Sequence, residues 1–274
     1  MTINFPYKAE FTTHLIDRPR YVGSIHDNSA ASRYGYRSAL VPGDHLYGFM
    51  SQLAVLAWGE DWLLRGIISS RSRRPVYNNQ KLVVETSSLV KDDNGCKVNI
   101  DISNEDGDIV AIGWIGLPDV APSPPLLSEY PILRVHGEKP SVARGEIVPG
   151  QRLFACVSHI DGHEHQAALD EFQETWRVYS SKNIIPAARL LREALRDEIA
   201  SFSYPTPSIF ISAAAQHFGI AHVGDVLSTS SVITDTYQRN GGDYFACMTL
   251  LIANGDQPIA LFDRRTLYAA KSAS

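Results

Sequence analysis

The chain has 274 residues, of which 44% are apolar and 20% charged, with a net charge of −5. That composition supplies a sizeable core and excludes a largely disordered protein. The absence of a long basic block argues against nucleic-acid binding, and no run reaches the roughly 18 apolar residues of a membrane span.

From the N-terminus, "MTINFPYKAEFTTHLIDRPR" lacks the charged and apolar regions of a signal peptide. Cys96, Cys156 and Cys247 are far apart without C-x-x-C spacing, so no disulfide framework or zinc ribbon is implied, and a cytoplasmic home is expected. The first long element is "GDHLYGFMSQLAVLAWGEDWLL", residues 43 to 64. It places Leu46, Phe49, Met50, Leu53, Leu56 and Ala57 at helical spacing, with Ala54 and Val55 filling the other face. A helix apolar on nearly every side should be wrapped by something.

Strand patterns follow: "GIISSRSRRPV", "QKLVVETSSLVKD", "CKVNIDIS" and "IVAIGWIGL", separated by turn signals at "DNG" and "NEDGD". The basic "RSRR", Arg71 to Arg74, reads as strand decoration. Residues 118 to 149 contain seven prolines and read as an extended surface connection. "RLFACVSHI" is then a strand, and "HIDGHEH", His159 to His165, is either a polar loop at its end or a cluster of metal-ligand types. One short glycine-containing loop seldom converges on a metal, so no metal is expected.

A second helix spans residues 185 to 202, with proline near its first turn. After it come "PSIFISAAAQHF", "DVLSTSSVITDTY", "DYFACMTLLIA" and "PIALFDRRTLYAA", broken by "RNGG" and "NGDQ". His217 and His222 beside this first strand read as structural or interfacial. The turn sequences recur at an offset of about 146 to 150 residues, an internal repeat in layout more than in identity. Three segments result: 1–120, a proline-rich linker at 121–150, and 151–274.

A buried helix followed by antiparallel strands, twice in one chain, resembles the double hot dog fold. "DNSAASRYGYRSALVPG", with Asp27, Ala31, Gly35, Tyr36 and Gly43 at matching spacings, resembles the MaoC-like (R)-specific enoyl-CoA hydratase and dehydratase family. "RRPVYNNQKLVV" is similar to the strand opening of that family. The implied fold is α+β, each repeat a long helix wrapped by a curved antiparallel sheet, with a cavity between the halves near a helix N-terminus. The implied chemistry is a lyase reaction of the hydration or dehydration type on an acyl thioester or related carbonyl compound.

Such enzymes hold a water between an aspartate and a histidine of an Asp-x-Asn-Pro-x-His loop. At those positions this chain has Arg20 and Ile25, with His26 next to the second; the corresponding "YSSKNIIPAARLL" keeps only Asn183 and Pro186. The expected catalytic groups are therefore His26, Asp27 and His45, with Tyr36, Gly43, Asp44 and Tyr47 binding substrate. For His26 and Asp27 the alternative is a loop pair bonded to turn backbone. For Asp44 it is an N-cap or first-turn acid favoured by the helix dipole, and both tyrosines either line the cavity or pack. No cofactor is called for, no nucleophile elbow or P-loop occurs, and the expected partner is the small-molecule or acyl-thioester substrate, with a homodimer possible. The rival readings are a hot dog cyclase or isomerase of natural-product biosynthesis, or a non-catalytic acyl-binding subunit.

Overall fold

The computed structural model describes residues 2–134 and 137–270, so positions 135 and 136 of the linker and the last four residues lie outside the description. A short strand β1 (Lys8–Thr12) and a one-and-a-half-turn helix α1 (Asn28–Arg33) precede the long helix α2 (Gly43–Trp58). The sequence pattern continued this helix to residue 64. The chain instead breaks at Gly59, whose φ of +63° suits glycine, and restarts as α3 (Glu60–Arg65). Twelve consecutive residues of α2, Asp44 to Val55, are buried, as a helix without a polar face requires.

Strands β2 (Ile67–Ser72), β3 (Lys81–Thr86), β4 (Val90–Asp92), β5 (Gly95–Asn104) and β6 (Ile109–Pro118) complete the first half. The "DNG" signal is the β4–β5 turn, and "NEDGD" joins β5 to β6. The strand expected in "RLFACVSHI" is interrupted, giving β7 (Arg152–Leu153) and β8 (Val157–His159), which both pair with one later strand.

"HIDGHEH" is not a loop. Asp161 accepts a hydrogen bond from the Glu164 amide at 2.8 Å and so caps α4 (Gly162–Glu171). Helices α5 (Val178–Ser181) and α6 (Ala187–Ser201) follow, then β9 (Ile209–His217), β10 (Val226–Arg239), β11 (Gly242–Ala253) and β12 (Gln257–Ala269).

The twelve strands form one antiparallel sheet with the path β1-β3-β5-β6-β2-β9-β12-β11-β10-β7. Its halves meet where β2 pairs β9, with Ser69 opposite Ala214 and Ser70 opposite Ala213. These small residues leave room for α2, which packs on β2, β6 and β9 and against α6. One large apolar core runs through both helices and the sheet. At roughly 25 cal/mol per Å2 of apolar area, it is the main driving force of the fold. A Cβ at Gly43, the first residue of α2, would overlap the Phe210 ring of β9 and lie 3.4 Å from Ser72 Oγ. That close approach fixes the helix start against the middle of the sheet.

Candidate active site at the start of the long helix

The loop ahead of α2 uses its two polar residues in different ways. Asp27 is the N-cap of α1: its carboxylate accepts from the Ser29 amide at 2.8 Å, the Ser29 hydroxyl at 2.9 Å and the Gly23 amide at 3.0 Å. Those amides hold its carboxyl below the usual carboxylate range. His26 turns inward, its ring 5.2 Å from that of Tyr21, and Nδ1 lies 2.7 Å from the Leu40 carbonyl. A carbonyl only accepts, so Nδ1 carries the hydrogen and Nε2 carries the lone pair. Burial lowers the imidazole pKa, which keeps the ring neutral around pH 7.

His26 lines a cleft of about 510 Å3 together with Asp17, Arg18, Tyr21, Asp27 and Asn78. Asp44, His45, Gly43 and Tyr47 are not on its walls. Asp44 and His45 lie deeper, and the N-cap position is Pro42, which has no side-chain cap bond. Asp44 sits in the first turn, 4% exposed, and Oδ2 accepts from Arg192 Nε at 2.8 Å. Burial pushes its carboxyl up, but Arg192 and His45 outweigh that and hold it below the usual range. His45 is buried, packs on Phe172 at 5.2 Å, and places Nε2 3.7 Å from Glu171 Oε1, beyond hydrogen-bond reach.

Glu171, the last residue of α4, is the hub that the sequence reading missed. Its carboxylate accepts from the Tyr21 hydroxyl at 2.8 Å, pairs with Arg192 at 3.0 Å and Arg18 at 3.4 Å, and is bonded by Arg20. Burial works against its ionised form, while His45, Arg192 and Arg20 hold the carboxyl far below the usual range. Three guanidinium groups face two carboxylates, so the cluster beneath the cleft keeps a positive excess. Its acidic hub and Arg192 come from the second half of the chain, and the loop and α2 residues from the first. The one available sequence signal was the charged run "REALRDE" on a helix expected to be buried, since buried charges demand partners.

Tyr36 is half-buried against the small cluster of Ile25, Ala31 and Leu40, and burial raises its hydroxyl pKa. Tyr47 is wholly buried in the main core, and its hydroxyl has no hydrogen-bond partner. In the former metal candidate, His165 is buried and its Nε2 lies 2.8 Å from the Ile184 carbonyl. Among the described residues no three His, Cys, Asp or Glu side chains are grouped as metal ligands. His217 is fully buried against Trp62 at 4.6 Å, with neither ring nitrogen bonded. His222 is exposed.

No protein-family model matches the chain, and no curated protein matches it in sequence. Solved structures do. A MaoC domain protein dehydratase from Chloroflexus aurantiacus superposes with a TM-score of 0.65 at 14% identity, over 98% of this chain and 97% of its own. A MaoC-like dehydratase gives 0.65 at 12% identity, over 96% and 97%. A Mycobacterium tuberculosis protein described as a double hotdog fold gives 0.61 at 14% identity, over 96% and 94%. The chain thus has the α+β hot dog architecture of the MaoC-like dehydratase structures along almost its whole length.

Proposed function

We propose that the protein acts on an acyl thioester or related carbonyl compound by proton transfer, as a lyase of the hydratase or dehydratase type, with His26 as the base. The observation that carries this reading is the His26 ring itself: Nδ1 is pinned to the Leu40 carbonyl, the ring is neutral, and the residue lines a cleft large enough for a small substrate. Nε2 removes the proton next to the carbonyl, and the imidazolium so formed returns that proton through Nε2 to the hydroxyl on the adjacent carbon, which leaves as water with the C–O bond pair as the double bond forms; hydration is the reverse. Arg18 on the same wall supplies positive charge where the carbonyl oxygen becomes negative. Asp27 acts through the loop by holding its turn. His45 and Asp44 act from beneath as part of the charged cluster, while Gly43 sets the helix position, and Tyr36 packs the loop behind His26. The dehydratase names of the structural relatives agree with this chemistry.

The two sides of the sheet also support reading the chain as two repeats, 1–120 and 151–274, joined by 121–150. Outward from the β2–β9 pair the strands run β6, β5, β3, β1 on one side and β12, β11, β10, β7 on the other. The experiment is a panel of enoyl, 3-hydroxyacyl and saturated acyl thioesters offered to the protein and to His26→Ala. Hydration or dehydration of one class, lost by about 100-fold or more in the variant with its fold intact, is the expected result. Turnover unchanged in His26→Ala refutes the assignment.

A further inference from the structure

The bond that holds His26 occurs twice in the molecule. Leu40, whose carbonyl faces Nδ1, stands three residues before α2 and forms an isolated bridge with Tyr77. Ile184 stands three residues before α6 and forms an isolated bridge with His222, and its carbonyl lies 2.8 Å from Nε2 of His165. A proline is the N-cap of both helices. His165 is only 5% exposed, so there the bond serves the start of the helix. His26 differs in lining a cleft, with Tyr21 on the same wall.

A carbonyl accepts over a broad range of directions, and the outer torsion of a histidine side chain is soft, so one hydrogen bond sets the plane of the ring loosely. Tyr21 supplies a second constraint. Its ring is 8% exposed and lies 5.2 Å from that of His26, tilted by 60°, within the range of an aromatic pair. Its hydroxyl is tied at the far end, donating to Glu171 at 2.8 Å and accepting from Arg20 at 3.1 Å, and the Arg20 guanidinium lies over the ring at 4.7 Å. The backbone is tied too. The Tyr21 carbonyl accepts from the Ser24 amide at 3.0 Å and the Ser24 hydroxyl at 2.8 Å, and that hydroxyl oxygen accepts from the His26 amide at 3.1 Å. Tyr21 thus reaches His26 both through its ring and through the turn, and Glu171 brings the second half of the chain to bear on it.

We propose that Tyr21 is the positioning residue of the site: tethered to Glu171, its ring holds the His26 imidazole in one orientation, with Nε2 left free for substrate. This rests on the reading of His26 as the base. Burial raises the Tyr21 hydroxyl pKa, so the phenol is neutral, and Tyr21→Phe cuts the tether without removing a charge. Asp44 and His45 of α2 and Arg192 of α6, which act on the charge of the imidazole, stay in place.

The test compares the full-length protein with Tyr21→Phe and Tyr21→Leu. Carbon-13 relaxation of the His26 ring, without substrate, should give an order parameter near the rigid value of about 0.85 in the parent, falling toward about 0.6 in Tyr21→Phe and further in Tyr21→Leu. With the thioester that the parent turns over, kcat should fall about tenfold in Tyr21→Phe and toward 100-fold in Tyr21→Leu, with KM within about twofold, because a misplaced catalytic group costs up to about 100-fold. In a His26→Ala background Tyr21→Phe should cost nothing more. An equally rigid His26 ring in both variants, a loss in KM instead of kcat, or the full tenfold loss on top of His26→Ala overturns the proposal. The relaxation result is independent of turnover. A rigid ring freed by Tyr21→Phe together with unchanged turnover in His26→Ala would refute the base while leaving Tyr21 as what orients the ring.

Discussion

Glu171→Gln separates the charge of the hub from its shape. The amide keeps an oxygen for the Tyr21 hydroxyl but leaves Arg192, 11% exposed, with Asp44 as its one remaining carboxylate. Arg20 is 44% exposed and its pair is screened by water, so its loss contributes little. Breaking a buried pair from one side costs roughly 3–5 kcal/mol, and the retained Asp44 contact puts this variant at the low end, about 3 kcal/mol. For a chain of this size that is a fall in Tm of about 6–12 °C. The pH dependence follows from the depressed carboxyl. Its stabilisation is complete above the unfolded value of 4.5 and is lost as pH falls toward the much lower folded value. The gap between parent and variant should therefore narrow by about 1.4 kcal/mol per pH unit below 4.5. Melting both proteins at pH 7 and pH 3 reads it. A variant that melts within about 2 °C of the parent at pH 7, or a gap unchanged at pH 3, contradicts the hub role.

Three other outcomes are expected. If His26 is the base, kcat/KM rises with pH through a pKa below the ordinary 6.5 and then levels, because burial favours the neutral ring; a limb centred above 6.5 contradicts that environment. His217, fully buried with its pKa pushed down to about 4, binds its proton later on acidification than the unfolded chain does. Stability should therefore fall between pH 6.5 and 4 by up to about 3.4 kcal/mol, and His217→Leu should flatten that slope in chemical denaturation. Gly43→Ala should destabilise by about 1–3 kcal/mol through overlap with Phe210. The same change in a Phe210→Leu background should cost less, and a double-mutant cycle with no coupling contradicts the contact.

Local pattern revealed the frame of the molecule where local physics decides it. The apolar run of α2 admits only burial, and "DNG" and "NEDGD" each join paired strands. It failed where a single residue redirects the chain. Gly59 ends α2 by taking a left-handed conformation inside a pattern that otherwise continues, and Asp161 turns a polar stretch into the first turn of α4. The site was legible by half. The loop and helix start carry the histidines, but the carboxylate beside His45 is Glu171, about 126 residues downstream, and Arg192 is farther still. Neither stands in a motif, and their roles exist only once α4 and α6 pack against the start of α2.

The most direct measurement is proton exchange next to the carbonyl, without turnover. In deuterated buffer, the protein should catalyse incorporation of deuterium at the carbon beside the carbonyl of an acyl thioester from the class it turns over, followed by NMR. His26→Gln should slow it by about 100-fold or more. Exchange at the same rate in parent and variant would show that the proton is taken by another group, and the assignment of His26 as the base would be wrong.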